Sequence, residues 1–216
     1  MVETRIVDAC KKAGRSRSEV TLVAVSKRHP FAAVLEAYDA GLRDFGENYA
    51  QELTEKSALS DLPDVRWHMI GHLQRNKCRD VVPIAHMIHT ADTLRLGEAI
   101  ARHATACGRD ASVLVQVNVG GEAQKEGCHP HELAALLEQL RSLSSLVVRG
   151  LMTVPPVATD EHPASRYFEA LASLRDRHGG ATALPELSMG MTVDLEAAIA
   201  AGATIVRVGT AIFGER

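Results

Sequence analysis

No apolar stretch in this 216-residue chain approaches the ~20 residues that a membrane-spanning helix needs. The opening run, MVETRIVDACKKAGRSRSEV, is charged from its third residue and lacks the apolar core of a secretion signal. These two absences lead us to expect a cytoplasmic protein without membrane association. Neither sign of charge dominates. The chain has 24 Lys+Arg against 27 Asp+Glu, a net −3, so no global basic field invites nucleic acid. Cysteine is scarce and scattered: Cys10, Cys78, Cys107 and Cys128 form no C-x-x-C pair. That usage fits reduced thiols better than a disulfide framework or a zinc site. Low-complexity tracts and long linkers are missing as well. With 46% hydrophobic residues, a single well-cored domain over residues 1–216 is expected.

What is present is an alternation. Eight short apolar runs read as strands: Thr21–Ser26, Arg43–Gly46, Arg66–Gly71, Met87–Thr90, Ser112–Val119, Val147–Thr153, Glu186–Met189 and Thr204–Val208. Amphipathic helical patterns lie between most of them, at Phe31–Ala40, Thr93–Cys107, Pro130–Leu143, Ser165–Arg177 and Val193–Ala201. Asp92 and Thr93 sit where a helix cap and first turn belong, and Gly41, Gly108 and Gly202 stop helices. A helix over Arg5–Ala13 precedes the first strand. Strand–helix alternation predicts a parallel sheet, and eight units predict closure into an α/β (β/α)8 TIM barrel with an extra N-terminal helix. An open doubly wound sheet is the competing architecture. The absence of G-x-G-x-x-G after the first strand argues against it.

In such a barrel, ligands gather at the C-terminal ends of the strands. The first strand, TLVAVSK, runs through small and β-branched apolar residues to Lys27. Burial and nearby cations can lower the pKa of a lysine placed there, and its neutral amine then attacks an aldehyde or ketone. Taken alone, a lysine head reaching water is the commoner outcome. Its companions at the other strand ends change the balance: Asn48 after the second, His68 on the third, His89 and Thr90 on the fourth, Asn118 on the fifth, Met152 and Thr153 on the sixth, Arg207 on the eighth. The segments after the last two strands are the most specific. SMGMT supplies Ser188, Gly190, Met191 and Thr192, and RVGTAIFG supplies Gly209 and Thr210. Two glycine–hydroxyl turns on adjacent strands suit a phosphate held by backbone N–H groups. His68 with His72, and His129 with His131, lack the ligand sets of a metal site. Gln74, Arg75, Asn76 and Lys77 read as a solvated rim, and Lys77 and Lys125 as surface lysines. Tyr38, Tyr49 and Tyr167 are the only tyrosines, and none is expected to face the rim from a strand end.

A Schiff-base lysine beside a phosphate cup points to pyridoxal 5′-phosphate (PLP). The motifs LVAVSK, FGENYAQE, WHMIGHLQRNK, HTAD, QVNVGGEAQKEG, RGLMTVPP, LSMGMTVDLEAAI and VRVGTAIFG, in this order, resemble the YggS/PROSC family of pyridoxal phosphate homeostasis proteins over nearly the whole chain. That family is similar to the N-terminal barrel of alanine racemase, the fold type III group. The resemblance implies a Schiff base at Lys27, Asn48 near the ring, and His68 under it. It implies a phosphate held by Ser188, Gly190, Met191, Thr192, Gly209 and Thr210, with Arg207 at the pyridine nitrogen. Serine is usual in the family where Thr192 stands here, and a hydroxyl is kept.

Arginine is always charged, so it donates to the ring nitrogen and disfavours a proton there. That weakens PLP as an electron sink. Racemisation also needs a base on each face, and the second base of alanine racemase comes from another domain and subunit. The expectation is therefore a monomeric PLP carrier in vitamin B6 homeostasis without established turnover, its partners being PLP and PLP-accepting apo-enzymes. A PLP-dependent amino-acid racemase is the alternative, and a cofactor-free Schiff-base aldolase a third reading.

Overall fold

The structure, a computed structural model, describes residues 1–122, 126–156 and 164–215. Eight parallel strands close into a barrel in sequence order: β1 (Thr21–Val25), β2 (Asp44–Glu47), β3 (Arg66–Met69), β4 (Ala85–Ala91), β5 (Ala111–Gln116), β6 (Leu146–Met152), β7 (Glu186–Ser188) and β8 (Ile205–Val208). Closure is made by β1 on β8, in the register Thr21↔Ile205 to Ala24↔Val208. The strands are largely apolar because both faces are covered. Along β1, Val23 points into the barrel with Met87, Leu114, Met152 and Ile205, while Leu22 and Ala24 join the larger layer under the helices.

The longer helices each bury one stripe on that outer layer. Leu94–Ala106 begins at Thr93, whose hydroxyl accepts from Leu96 N, so Thr93 and not Asp92 is the cap. Its buried face is Leu96, Ala99, Ile100 and Ala104, at helical spacing. The first helix spans Val2–Lys12 and seats Ile6, Ala9 and Cys10 in the core. It is tied to the helix Leu195–Ala200 by Arg5 to Glu196 at 2.6 Å, and Arg15 bonds the carbonyls of Ile199 and Ala203 just beyond it.

Boundaries differ from the expectation where side chains intervene. Arg43 stays outside β2 because its guanidinium turns back onto the Tyr38 and Leu42 carbonyls and lies over the Tyr38 ring. The segment after β5 leaves the sheet early because Asn118 N pairs with Cys128 O. Pro130 to Glu132 form a turn before the helix Leu133–Arg141, with Glu132 Oε2 accepting from His129 N. The helix Ala50–Ala58 was not anticipated; its buried positions are Leu53 and Lys56. Among the described residues no helix is long and apolar enough to cross a membrane, and no group of three or more metal-ligating side chains occurs.

Candidate functional site

Lys27 lies two residues beyond β1, half-buried in a turn rather than on the strand itself. That turn is gripped on several sides. Ser26 Oγ donates to Glu47 Oε1 at 2.6 Å. Lys56 Nζ donates to Ser26 O at 2.7 Å and to Glu47 Oε1 at 2.6 Å. Arg28 N donates to Glu52 Oε2 at 2.6 Å. Arg28 holds φ +61, a conformation that non-glycine residues adopt only when surroundings impose it. Glu47 and Lys56 are buried, and burial pushes the Glu47 carboxyl up more than its bonds to Lys56 and Ser26 pull it down. Glu47 Oε2 has no hydrogen-bond partner among the described residues. These clamp residues were missed in the sequence. The pattern that could have found them is Leu53 and Lys56 on one helical face.

Inside the barrel a polar chain crosses an otherwise apolar interior. Arg207 donates to Ser188 Oγ at 2.5 Å and to the Thr153 carbonyl at 2.9 Å. Ser188 Oγ lies 2.9 Å from His89 Nδ1, His89 Nε2 3.0 Å from His68 Nδ1, and His68 Nε2 2.9 Å from Asp44 Oδ1. Arg66, half-exposed at the start of β3, pairs with Asp44. Burial raises the Asp44 carboxyl, but hydrogen bonds from His68 and Arg66 outweigh it and bring it to about 2. Burial, with the Arg207 cation nearby, drives His89 well below the usual imidazole range. Burial lowers Arg207 to about 10, which still leaves it cationic at neutral pH.

The glycine turns after β7 and β8 form as expected. Gly190 has φ +93, and a Cβ there would meet Ala198 Cβ at 2.5 Å, so no other residue fits. Met191 N donates to Asp194 Oδ1 at 2.6 Å, which fixes the loop holding Thr192. Gly209 packs against β1, where a Cβ would lie 3.3 Å from Val25 O. The Gly209–Thr210 turn and the Lys27 turn are thus neighbours at the rim. Ser188 is placed differently from the rest: its hydroxyl is buried between His89 and Arg207, which engages it inside the barrel.

A cavity of about 980 Å³ opens at the same end of the barrel, on the side of β2 to β6. Asn48 lines it; Lys27, His68, Arg207 and the two glycine turns do not. Its wall includes Tyr49, Glu52, Glu55, His72, Gln74, Lys77, Gln116 and Glu126. Two sequence expectations are thereby corrected. Gln74 and Lys77 line a cavity instead of merely solvating a rim. Tyr49 does face the rim, because the chain turns into the helix Ala50–Ala58 immediately after it, and its hydroxyl accepts from Arg28. Gly71 closes the seam between these walls, where a Cβ would fall 2.2 Å from the Asn48 carbonyl. Lys125 lies outside the described residues.

A closed parallel barrel with this rim is the N-terminal domain architecture of alanine racemase, and the model of that domain family matches residues 7–216. Solved alanine racemases share the fold at low identity: that of Clostridium difficile superimposes with TM-score 0.73 at 15% identity, covering 99% of this chain and 56% of that one. Much nearer relatives exist. The pyridoxal phosphate homeostasis protein of Pseudomonas aeruginosa is 46% identical across 100% of this chain and 93% of its own length. That of Aquifex aeolicus is 43% identical across 98% and 94%. PipY of Synechococcus elongatus, solved with PLP bound, superimposes with TM-score 0.82 at 39% identity over 99% of this chain and 100% of that one. The chain belongs to the pyridoxal phosphate homeostasis protein family.

Proposed function

We propose that this protein binds PLP as a Schiff base on Lys27 and acts as a carrier of the cofactor in intracellular vitamin B6 homeostasis. The observation that carries this reading is the contact of two turns. Gly209 packs closely on the Val25 backbone, where a Cβ would lie 3.3 Å from the carbonyl oxygen, two residues before Lys27. A phosphate gripped by the Gly190–Thr192 and Gly209–Thr210 backbones would then hold an aldehyde within reach of the Lys27 amine. PLP supplies that aldehyde, and condensation expels one water.

The residues present fit the group. Gly190 and Gly209 let the two turns pack closely on Ala198 and Val25, and backbone N–H groups and a threonine hydroxyl there suit an anion. Arg207 keeps N–H groups beyond those engaged by Ser188 and Thr153 O, so it can donate to a ring nitrogen. A guanidinium cationic at neutral pH disfavours a proton on that nitrogen, which suits holding the cofactor better than extended carbanion chemistry.

The spectrum of the purified protein tests the proposal. PLP should give a visible band that borohydride bleaches as it fixes the cofactor covalently to Lys27, and Lys27→Ala should lack the band while staying folded. A wild-type protein that cannot take up PLP would refute it. One observation favours a second reading, amino-acid racemisation: the Tyr49 hydroxyl stands at the cavity wall. Washing deuterium from Cα of alanine or serine, dependent on both Lys27 and Tyr49, would establish it over the carrier.

A further inference from the structure

We propose that Asp44, His68 and His89 are positioning residues that act on Arg207 through Ser188, as one chain of hydrogen bonds donated in a single direction from the guanidinium to the carboxylate. The inference rests on the reading of Arg207 as the partner of the PLP ring nitrogen.

The direction follows from the two ends. Arg207 has only donors, so Ser188 Oγ must accept at the 2.5 Å contact. Asp44 is ionised above about pH 2 and has only acceptors, so His68 Nε2 must carry the hydrogen at the 2.9 Å contact. The proposed chain takes His68 Nδ1 as the lone pair and His89 Nε2 as its donor, across the 3.0 Å contact. His89, which burial keeps neutral, then offers Nδ1 as an acceptor, and the Ser188 hydroxyl fills it at 2.9 Å. In this arrangement each ring carries its hydrogen on Nε2, and every link is satisfied. The opposite tautomer on His68 would set a lone pair against the Asp44 carboxylate, and on His89 a lone pair against a lone pair.

The consequence is electrostatic. Arg207 is buried and bonds the Ser188 hydroxyl on β7 and the Thr153 carbonyl just after β6, so its charge is balanced at a distance. Each dipole of the chain points its negative end toward the guanidinium and its positive end toward Asp44, which polarises the serine oxygen facing Arg207. The two acceptors fix the guanidinium plane, and thereby the direction of the N–H groups left for a ligand. The chain also explains why the Ser188 hydroxyl is unavailable to a phosphate. His86 and Arg66 are the other cationic or titratable groups beside the rings, and Asp194 the acidic group nearest Arg207 in effect.

The full-length apoprotein labelled with 15N-histidine provides the test, its two signals assigned by their loss in His68→Gln and His89→Gln. Imidazole nitrogen shifts should report both rings as neutral Nε2–H tautomers at neutral pH, whether or not PLP binds. An Nδ1–H tautomer or an imidazolium at either ring would overturn the chain. With ring-15N-labelled PLP, Ser188→Ala should weaken binding about tenfold or more and move the ring-nitrogen shift, since a bond to a buried charge is lost. Ser188→Thr should restore both. If the tautomers are as stated but Ser188→Ala binds PLP with unchanged affinity and shift, the chain is structural only and the proposal fails. If wild type takes up no PLP, the functional reading fails while the tautomers still decide the chain.

Discussion

Lys56 shows what a single buried charge does here. It joins the Glu47 carboxylate to the Ser26 carbonyl, directly before Lys27. Removing one partner of a buried pair leaves the other charge unpaired. Lys56→Met should therefore cost about 3 kcal/mol or more in urea unfolding, and slow PLP uptake by loosening the Lys27 turn. A Lys56→Met protein as stable as wild type would contradict the clamp. Acid sensitivity is also a residue property. The folded His89 pKa is lowered, so below about pH 6.5 the unfolded state binds the proton the folded state refuses, and stability falls. The folded Asp44 pKa, about 2 against 3.8, is likewise lowered. Its contribution is present above about pH 4 and disappears as pH falls toward 2. Stability should thus decline in two stages on acidification. Asp44→Asn should flatten the lower stage and His89→Gln the upper one, as read by unfolding midpoints across pH.

At the scale of elements, the site depends on turns that follow strands. Gly190 combines a positive φ with a contact that excludes a methyl group. Gly190→Ala should destabilise the protein by more than 1 kcal/mol and abolish the phosphate grip, whereas Gly202→Ala, at φ +96 with open space around it, should cost only the backbone term. Calorimetry and PLP titration of the two variants separate these effects. Equal PLP affinity in both would mean the β7 turn does not hold the cofactor. Gly71→Ala tests the other seam: its Cβ would collide with the Asn48 backbone, so the β2 and β3 ends must separate. The expected result is a loss of about 1–3 kcal/mol.

For the whole molecule, ligand binding and folding are linked. If PLP binds only the closed barrel, saturating it at about a hundred times its Kd should add about 2.7 kcal/mol of stability. Lys27→Ala should lose most of that gain without losing the fold, and a melting temperature indifferent to PLP would contradict the site. The exposed large apolar side chains, among them Val7, Leu35, Leu59, Val154 and Val193, sit on separate elements. We therefore expect a monomer of 23.3 kDa by sedimentation at micromolar concentration, and a dimer would refute this.

The barrel was legible because its signals are local. Strand runs apolar on both faces, helices with one buried stripe and glycine stops each depend on a few neighbouring residues. Lys27 and the glycine turns were legible for the same reason: SMGMT and VGT follow their strands immediately. The buried chain was not. Asp44, His68, His89, Ser188 and Arg207 come from five strands, and only barrel closure brings them within hydrogen-bond distance. Ser188 illustrates the limit: its position beside Gly190 pointed outward to a phosphate, but strand alternation turns its hydroxyl into the barrel. Sequence alone determined the eight strands, most of the helices and where the reactive ends lie, because those follow from local pattern. Tertiary structure decided which polar atoms face one another, because a hydrogen bond depends on position in space and not on separation along the chain.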